Sequence, residues 1–235
     1  MIDFHTHILP HMDDGSSDVG ESIQLMKMLK DQGVGTVVAT SHYYHTKESI
    51  SEFLTRRQRA YDLLREAVEG MDVPDIRLGA EVSFFSGMSR LSDFDRLKIQ
   101  GTEAILIEMP FSIWTAGIIS EVYSIINNHG LTPILAHVER YPDFPVAIDK
   151  LNDLIDMGAL FQINGEYILS GKSRRQALDQ LKRGDHFLLG SDSHNVRTRV
   201  PNLGEAASVI RKKLGSDRFL TVDRLGREIM NGSDQ

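Results

Sequence analysis

The sequence predicts an α/β barrel, with parallel strands each followed by a helix. Three observations carry this. Apolar runs of strand length alternate with longer amphipathic segments about seven times, the pattern of a parallel sheet. The length of 235 residues suits one barrel, read as a single domain over residues 1–235, and allows a substantial core without staples. Histidines and carboxylates recur at the ends of strands, where such barrels gather their chemistry. An open doubly wound sheet is the alternative. It would collect ligands at one switch point from few strands, whereas here six strand ends carry them.

The first strand opens with Ile2, Asp3 and Phe4. His5 and His7 follow, two apart. Side chains at i and i+2 of a strand share a side, so both imidazoles can grip one ion. Asp13 and Asp14 lie on a loop closed by Gly15. Ser16, Ser17 and Asp18 read as a helix start; Ile23, Met26, Leu29 and Lys30 keep the helical period, and Gly33 ends it. Residues 34–40 are a β-branched run, read as a buried strand, with His42 just past its end. A long charged helix follows over 48–69, on which Arg56, Arg57 and Arg59 read as a solvated face. After a turn at 71–74, residues 76–82 form a third strand with Glu81 near its end. Residues 86–100 read as an irregular loop with a short helix. Residues 103–109 are a fourth strand, with Glu108 at its end before Pro110.

A helix over 114–128 closes at His129 and Gly130, and 133–136 is a fifth strand leading into His137, Val138, Glu139 and Arg140. Residues 147–157 predict a helix capped by Gly158, and 160–164 a sixth strand. A helix over 173–183 stops at Gly184. The seventh strand, 186–190, runs into Ser191, Asp192, Ser193 and His194. Helices over 203–214 and 222–230 complete the chain.

Composition excludes several classes. With no cysteine there is no disulfide, no Cys-type zinc site and no thiolate nucleophile. No apolar run approaches a membrane span, and the opening Met-Ile-Asp-Phe-His lacks the basic-then-apolar pattern of a signal peptide, so a cytoplasmic protein is expected. A net charge of −7 argues against broad nucleic-acid binding.

Taken singly, a histidine or glutamate closing a strand is an ordinary polar group. Together, some nine such side chains converge on one barrel mouth. A cluster of that kind would repel itself and resist desolvation unless divalent cations balanced it. Imidazole mixed with carboxylate suits manganese, iron or zinc, and the ligand count exceeds one ion's needs, so two or three ions are expected.

The motifs resemble those of the PHP (polymerase and histidinol phosphatase) superfamily: His5-Thr-His7, His42, Glu81, His137 and Asp192-Ser-His194. Within it the chain is similar to the capsular-polysaccharide tyrosine-phosphatase branch of Gram-positive bacteria. The matching stretches are His5-Thr-His-Ile-Leu-Pro with Asp13-Asp-Gly-Ser, Thr40-Ser-His-Tyr, Ile107-Glu-Met-Pro, Ala136-His-Val-Glu-Arg-Tyr141 and Gly190-Ser-Asp-Ser-His. The resemblance implies a distorted (β/α)7 TIM-like barrel, the PHP fold, holding three metals, by family habit manganese. It implies that His5, His7, Glu81 and Asp192 hold one ion. Glu81, Glu108 and His137 would hold a second, with Glu81 bridging, and Asp14, His42 and His194 a third, with Asp13 the less-favoured acid.

The implied activity is metal-dependent protein-tyrosine phosphatase, acting on the tail of a bacterial tyrosine kinase that controls capsule or exopolysaccharide synthesis. A small-molecule phosphomonoesterase such as histidinol phosphatase and a non-catalytic PHP regulatory module are the alternatives. His137 as a ligand and Arg140 are expected to carry turnover. Arg140 lies three residues after His137 and should reach the mouth to grip phosphate; its plainer reading is a surface pair with Glu139. Arg197 and Arg199, just beyond His194, are phosphate-binding candidates of the same kind. Phe111, Ile113 and Trp114 follow Glu108 and form either a wall beside a phenyl ring or an ordinary apolar cover. His11 and His45 are extra to the motif, His129 ends a helix, and His186 lies at the far end of a strand. Oligomeric state stays open.

Overall fold

The structure, a computed structural model, describes residues 1–141 and 148–232. Strand β1 (Ile2–Thr6) leads to helix α1 (Val19–Asp31), which starts where the Asp18 carboxylate accepts the Glu21 amide. Strands β2 (Thr36–Ala39) and β3 (His42–Tyr43) precede helix α2 (Ile50–Ala67), opened by a capping box of Ser49 and Glu52. Then come β4 (Asp75–Leu78) and β5 (Glu81–Ser83). Two 3-10 turns follow, Met88–Arg90 and Phe94–Leu97, in the stretch expected to be irregular. Strand β6 (Ala104–Glu108), helix α3 (Ala116–His129) and strand β7 (Thr132–Leu135) follow. The remainder is α4 (Ile148–Asp156), β8 (Leu160–Asn164), α5 (Gly165–Leu169), α6 (Arg174–Arg183), β9 (Phe187–Gly190), α7 (Leu203–Leu214) and α8 (Ser216–Asn231).

Among the described residues every strand pair is parallel, in two sheets ordered β1-β2-β4 and β3-β5-β6-β7-β8-β9. The expected second and third strands are each broken. Residues 34–40 shorten to β2, and the chain steps over Thr40 and Ser41 before β3; residues 76–82 divide at Gly79 and Ala80. At the break the Gly79 amide donates to Ala39 O and the Glu81 amide to Thr40 O and Ser41 O, so the ladder continues sideways instead of straight on. The lower halves stay with β1 and the upper halves join the larger sheet. The ring closes where Thr6 bridges Ser193, with the His7 amide on Ser193 O and the Asp192 amide on His5 O. The result is a distorted barrel with seven strand positions, as expected.

β1 carries a bulge: from Asp3 to Thr6 it advances three residues while β2 advances two, Val37 to Ala39. A bulge changes which side the following side chains face. Phe4 therefore joins an apolar plug, while His5, the next residue, faces the polar mouth. That plug packs Phe4, Val38, Leu106, Ile134, Leu160 and Leu188 together with Leu225, Ile229 and Met230 of α8. Leu106 shares a strand face with Glu108, and Leu160 with Gln162, so the plug fills the barrel beneath the polar side chains of the mouth. A larger core, including Phe53, Leu64, Phe161 and Ile210, packs the helices onto the outer face.

Three local expectations change. Arg57 is buried, not solvated: it donates to Gly79 O at 2.5 Å, and burial lowers its guanidinium to about 10, still charged at neutral pH. Arg56 bonds Met12 O and Glu48, and of the three arginines only Arg59 is exposed. Helix α8 begins at Ser216, six residues before the expected start, and α5 has no counterpart in the sequence pattern. The first residue of the helix expected over 147–157 lies outside the described residues. No helix among the described residues is long and apolar enough to cross a membrane.

Candidate metal centre

The strand ends deliver the nine expected side chains to one mouth. His5, His7, Glu81, His137, Asp192 and His194 are buried there, Glu108 and His42 are half-buried, and Asp14 is 65% exposed at the rim. His137 and Asp192 both take left-handed backbone angles, φ 30° and 52°, just past β7 and β9. Such angles cost a non-glycine residue about 1–3 kcal/mol and cluster at functional sites. Each is held in place: the His137 amide donates to Gln162 Oε1 at 2.8 Å and the Asp192 amide to His5 O at 2.8 Å.

Gln162, on the inward face of β8, organises the centre. A backbone amide can only donate, so the atom beside His137 N is the glutamine oxygen. That same oxygen lies 2.9 Å from His5 Nδ1, which must therefore carry the proton. In the neutral ring that a metal would bind, His5 Nε2 is then left as a bare lone pair. The chain continues outward: Gln162 Nε2 donates to Asn164 Oδ1 at 2.8 Å, and Asn164 Nδ2 to Asp192 Oδ2 at 3.1 Å. Asp13 does the equivalent for His7. Its Oδ2 takes His7 Nδ1 at 3.0 Å and the His42 amide at 2.8 Å, so it fixes the orientation of the His7 ring. His194 is fixed by Nδ1 on Asp192 O at 2.9 Å.

Once these rings are neutral, as metal ligation requires, the outcome is a knot of acceptors facing one another. His5 Nε2 and His7 Nε2 are 3.2 Å apart. Glu81 Oε2 lies 3.2 and 3.4 Å from them, and Asp192 Oδ1 3.5 and 3.6 Å. Glu81 Oε2, His42 Nδ1 and His194 Nε2 are buried without a hydrogen bond, although His42 Nδ1 is 3.0 Å from Glu81 Oε2. Such a knot calls for a cation. Three overlapping groups place donor atoms within 4.8 Å of one another: His5, His7 and Glu81; His7, Asp14, His42 and His194; and His42, Glu81 and Glu108. His137 Nε2 sits 2.9 Å from Glu81 and 3.6 Å from Glu108. Compared with the sets the resemblance implied, His7 also faces the third group and His42 also faces the second. The imidazole and carboxylate donors fit divalent ions such as manganese, iron or zinc.

Titration follows the same field. Burial opposes charge on His7, but hydrogen bonds to Asp13 and Glu81 outweigh it and raise the imidazole to about 10. His137 rises to about 9 against burial, through Glu108 and Glu81. Glu81 and Asp192 fall below the usual carboxylate range despite burial, held there chiefly by His5 and, for Asp192, also by His7 and Arg140. His194 goes the other way, lowered to about 4 by burial and the neighbouring His7, and is neutral at pH 7. The centre attracts positive charge overall.

Two guanidiniums border it. Arg140 Nη2 and Arg199 Nη2 lie 2.6 and 2.7 Å from Asp192 Oδ2, and Arg199 Nη1 lies 3.7 Å from Asp14. Asp192 thus divides its labour, with Oδ1 toward the imidazoles and Oδ2 toward the arginines. Glu139, the plainer partner for Arg140, instead accepts the Asn164 amide, and burial raises it to about 7. Arg197 is exposed and pairs with none of the cluster's carboxylates among the described residues. His11 is exposed, His45 stacks on Phe85 with ring centroids 4.3 Å apart, and His129 bonds Ser89 O.

Sequence reasoning missed Gln162 and Asn164. The available signal was two polar residues at alternate positions of a strand otherwise Leu, Phe and Ile. Gly190 belongs with them: a Cβ there would lie 2.5 Å from Gln162 Nε2 and 2.6 Å from His5 Cβ. Gln162→Leu is expected to weaken metal binding about ten- to a hundredfold, the usual scale for losing a group that orients a ligand. Calorimetric titration of the stripped protein measures it, and an unchanged affinity would show that Gln162 does not set the His5 tautomer.

Barrel and mouth together define a metal-dependent α/β-barrel enzyme. The chain belongs to the capsular polysaccharide synthesis CpsB/CapC family, whose model it matches over residues 1–225. It is 30% identical to the tyrosine-protein phosphatase YwqE of Bacillus subtilis over 223 residues, covering 92% of this chain and 86% of that protein. It is also 30% identical to the tyrosine-protein phosphatase CpsB of Streptococcus pneumoniae, covering 98% and 99%. A crystal structure from work on those two proteins, described as unique metal-dependent tyrosine phosphatases, superposes with a TM-score of 0.86 at 27% identity, covering 99% of this chain and 96% of that one. The Escherichia coli phosphotriesterase homology protein shares the fold alone, with a TM-score of 0.54 at 15% identity, covering 94% of each chain.

Proposed function

We propose that this protein is a metal-dependent protein-tyrosine phosphatase whose substrate is the phosphorylated tail of a bacterial tyrosine kinase in capsule or exopolysaccharide synthesis. The observation that carries the reading is Asp192, which joins the imidazole knot through one oxygen and two guanidiniums through the other. In this reading the whole chain is one domain working in the cytoplasm. His5, His7, Glu81 and Asp192 hold one divalent ion. Glu81, Glu108 and His137 hold a second, beside His42, and Asp14, His42 and His194 hold a third, manganese being the family's usual choice.

A phosphate monoester carries about two negative charges and needs neutralisation and an in-line nucleophile. Bound divalent ions supply that neutralisation and lower the pKa of water from about 15.7 toward neutrality. The rest falls to the chain. Arg140 and Arg199, anchored on one carboxylate oxygen, keep their remaining N–H groups for the phosphate and fix its position. Neutral His194 and the oriented His5 offer lone pairs instead of protons. Burial of the cluster excludes bulk water and strengthens each electrostatic contact. The exposed rim at Asp14 suits a tyrosine on a flexible tail.

The deciding experiment compares hydrolysis of a phosphotyrosine peptide and of histidinol phosphate by stripped protein reloaded with manganese, iron or zinc. Metal-dependent preference for the peptide is expected. Preference for histidinol phosphate would make the protein a small-molecule phosphatase. No hydrolysis of either by folded, metal-loaded protein would favour a regulatory module.

A further inference from the structure

Two aromatic rings at the mouth stack on cluster imidazoles. Tyr44 lies on His42 with centroids 5.3 Å apart, and Phe111 on His137 at 6.0 Å and 16° between planes. Their surroundings differ. Lys47 Nζ sits 3.9 Å from the Tyr44 centroid, so that ring is already engaged. Phe111 is 56% exposed. A lone exposed phenylalanine is ordinary on a surface. One placed against a candidate metal-binding imidazole, three residues after Glu108, is not.

The loop that carries Phe111 is braced. The Met109 amide donates to the Tyr141 hydroxyl at 2.8 Å, and Trp114 Nε1 donates to Pro110 O at 3.1 Å. The Tyr141 ring supports Phe111 from the side, at 5.6 Å between centroids. Proline fixes the backbone just before it. The loop and the face that supports the ring are therefore in place before any substrate arrives, which lowers the ordering cost of binding.

We propose that Phe111 is the specificity-determining residue for aryl phosphates, its exposed ring receiving the phenyl ring of the substrate beside His137. The inference rests on the phosphatase reading above and adds the group that selects the ester. A phosphate gripped by Arg140 and Arg199 leaves its ester group at the rim. A flat aryl group there stacks on Phe111, and an alkyl chain covers far less of it.

The test uses metal-loaded protein and two non-hydrolysable probes, phenylphosphonate and ethylphosphonate, with binding read by calorimetry. The wild type is expected to prefer the phenyl probe. Phe111→Ala should weaken that probe about tenfold and leave the ethyl probe within about twofold. Phe111→Leu, which keeps apolar bulk without a ring, should fall between. In parallel, KM for phenyl phosphate should rise by the same factor with kcat little changed. Equal loss of both probes, no loss of either, or no phenyl preference in the wild type would overturn the proposal. Failure of the wild type to hydrolyse phosphotyrosine peptide while phenyl preference depends on Phe111 would instead overturn the phosphatase reading and leave an aryl-anion site.

Discussion

Arg140→Ala is expected to lower kcat/KM on a phosphotyrosine peptide about a hundred- to a thousandfold, the cost of removing one preorganised donor from a transition state that gathers charge. Metal content should not change. Asp192 Oδ2 would keep Arg199 at 2.7 Å and Asn164 Nδ2 at 3.1 Å, so the carboxylate stays anchored and its Oδ1 stays aimed at the imidazoles. Arg140→Lys should recover only part of the loss, because an ammonium is a point charge without the planar fork. Steady-state kinetics with metal analysis on the same samples decides the matter. A loss below about threefold would hand the phosphate to Arg199 alone, and a parallel fall in bound metal would make Arg140 a structural counter-charge.

Chelation of the divalent ions is expected to abolish hydrolysis and to lower the unfolding temperature by about 10 °C. Ligands present at about a thousand times their dissociation constant stabilise a fold by about 4 kcal/mol. A protein of this size shifts by about 2–4 °C per kcal/mol. The physical source is the buried acceptor knot of His5, His7, Glu81 and Asp192, whose mutual repulsion a cation relieves. Calorimetry with and without chelator measures the shift, and re-addition of manganese should reverse it. An unchanged unfolding temperature in protein shown to lose its metal would mean that protons on His7 and His137 balance the cluster equally well.

The barrel was legible in the sequence because its two signals are local. Strand-length apolar runs alternate with amphipathic segments, and each strand has buried faces that demand apolar residues. The breaks after Ala39 and Leu78 were not legible. They arise because the chain steps between two ladders, and a ladder's partners lie far away in sequence. Arg57 misled for the same reason: three neighbouring arginines look like a solvated face until Gly79 O, on another element, takes one of them inside. Helix α8 gives no sequence sign that Leu225, Ile229 and Met230 plug the barrel floor.

By itself, the sequence determined the class of chemistry. Donor types are written residue by residue, and His5, His7, Glu81, His137, Asp192 and His194 fall near the ends of the expected strands, where such barrels gather their chemistry. Only the tertiary structure decided the roles. The bulge between Asp3 and Thr6 turns His5 to the mouth and leaves Phe4 in the plug. Gln162 and Asp13 each assign an imidazole proton, and Asp192 Oδ2 gathers both arginines. Asp13 reaches His7 across a short loop, but the bulge register, the Gln162 contact and the Asp192 pairs depend on side chains from different strands and loops meeting within about 3 Å, the range of a hydrogen bond. Distances of that kind belong to the closed barrel, where residues 157 apart, such as His5 and Gln162, become neighbours.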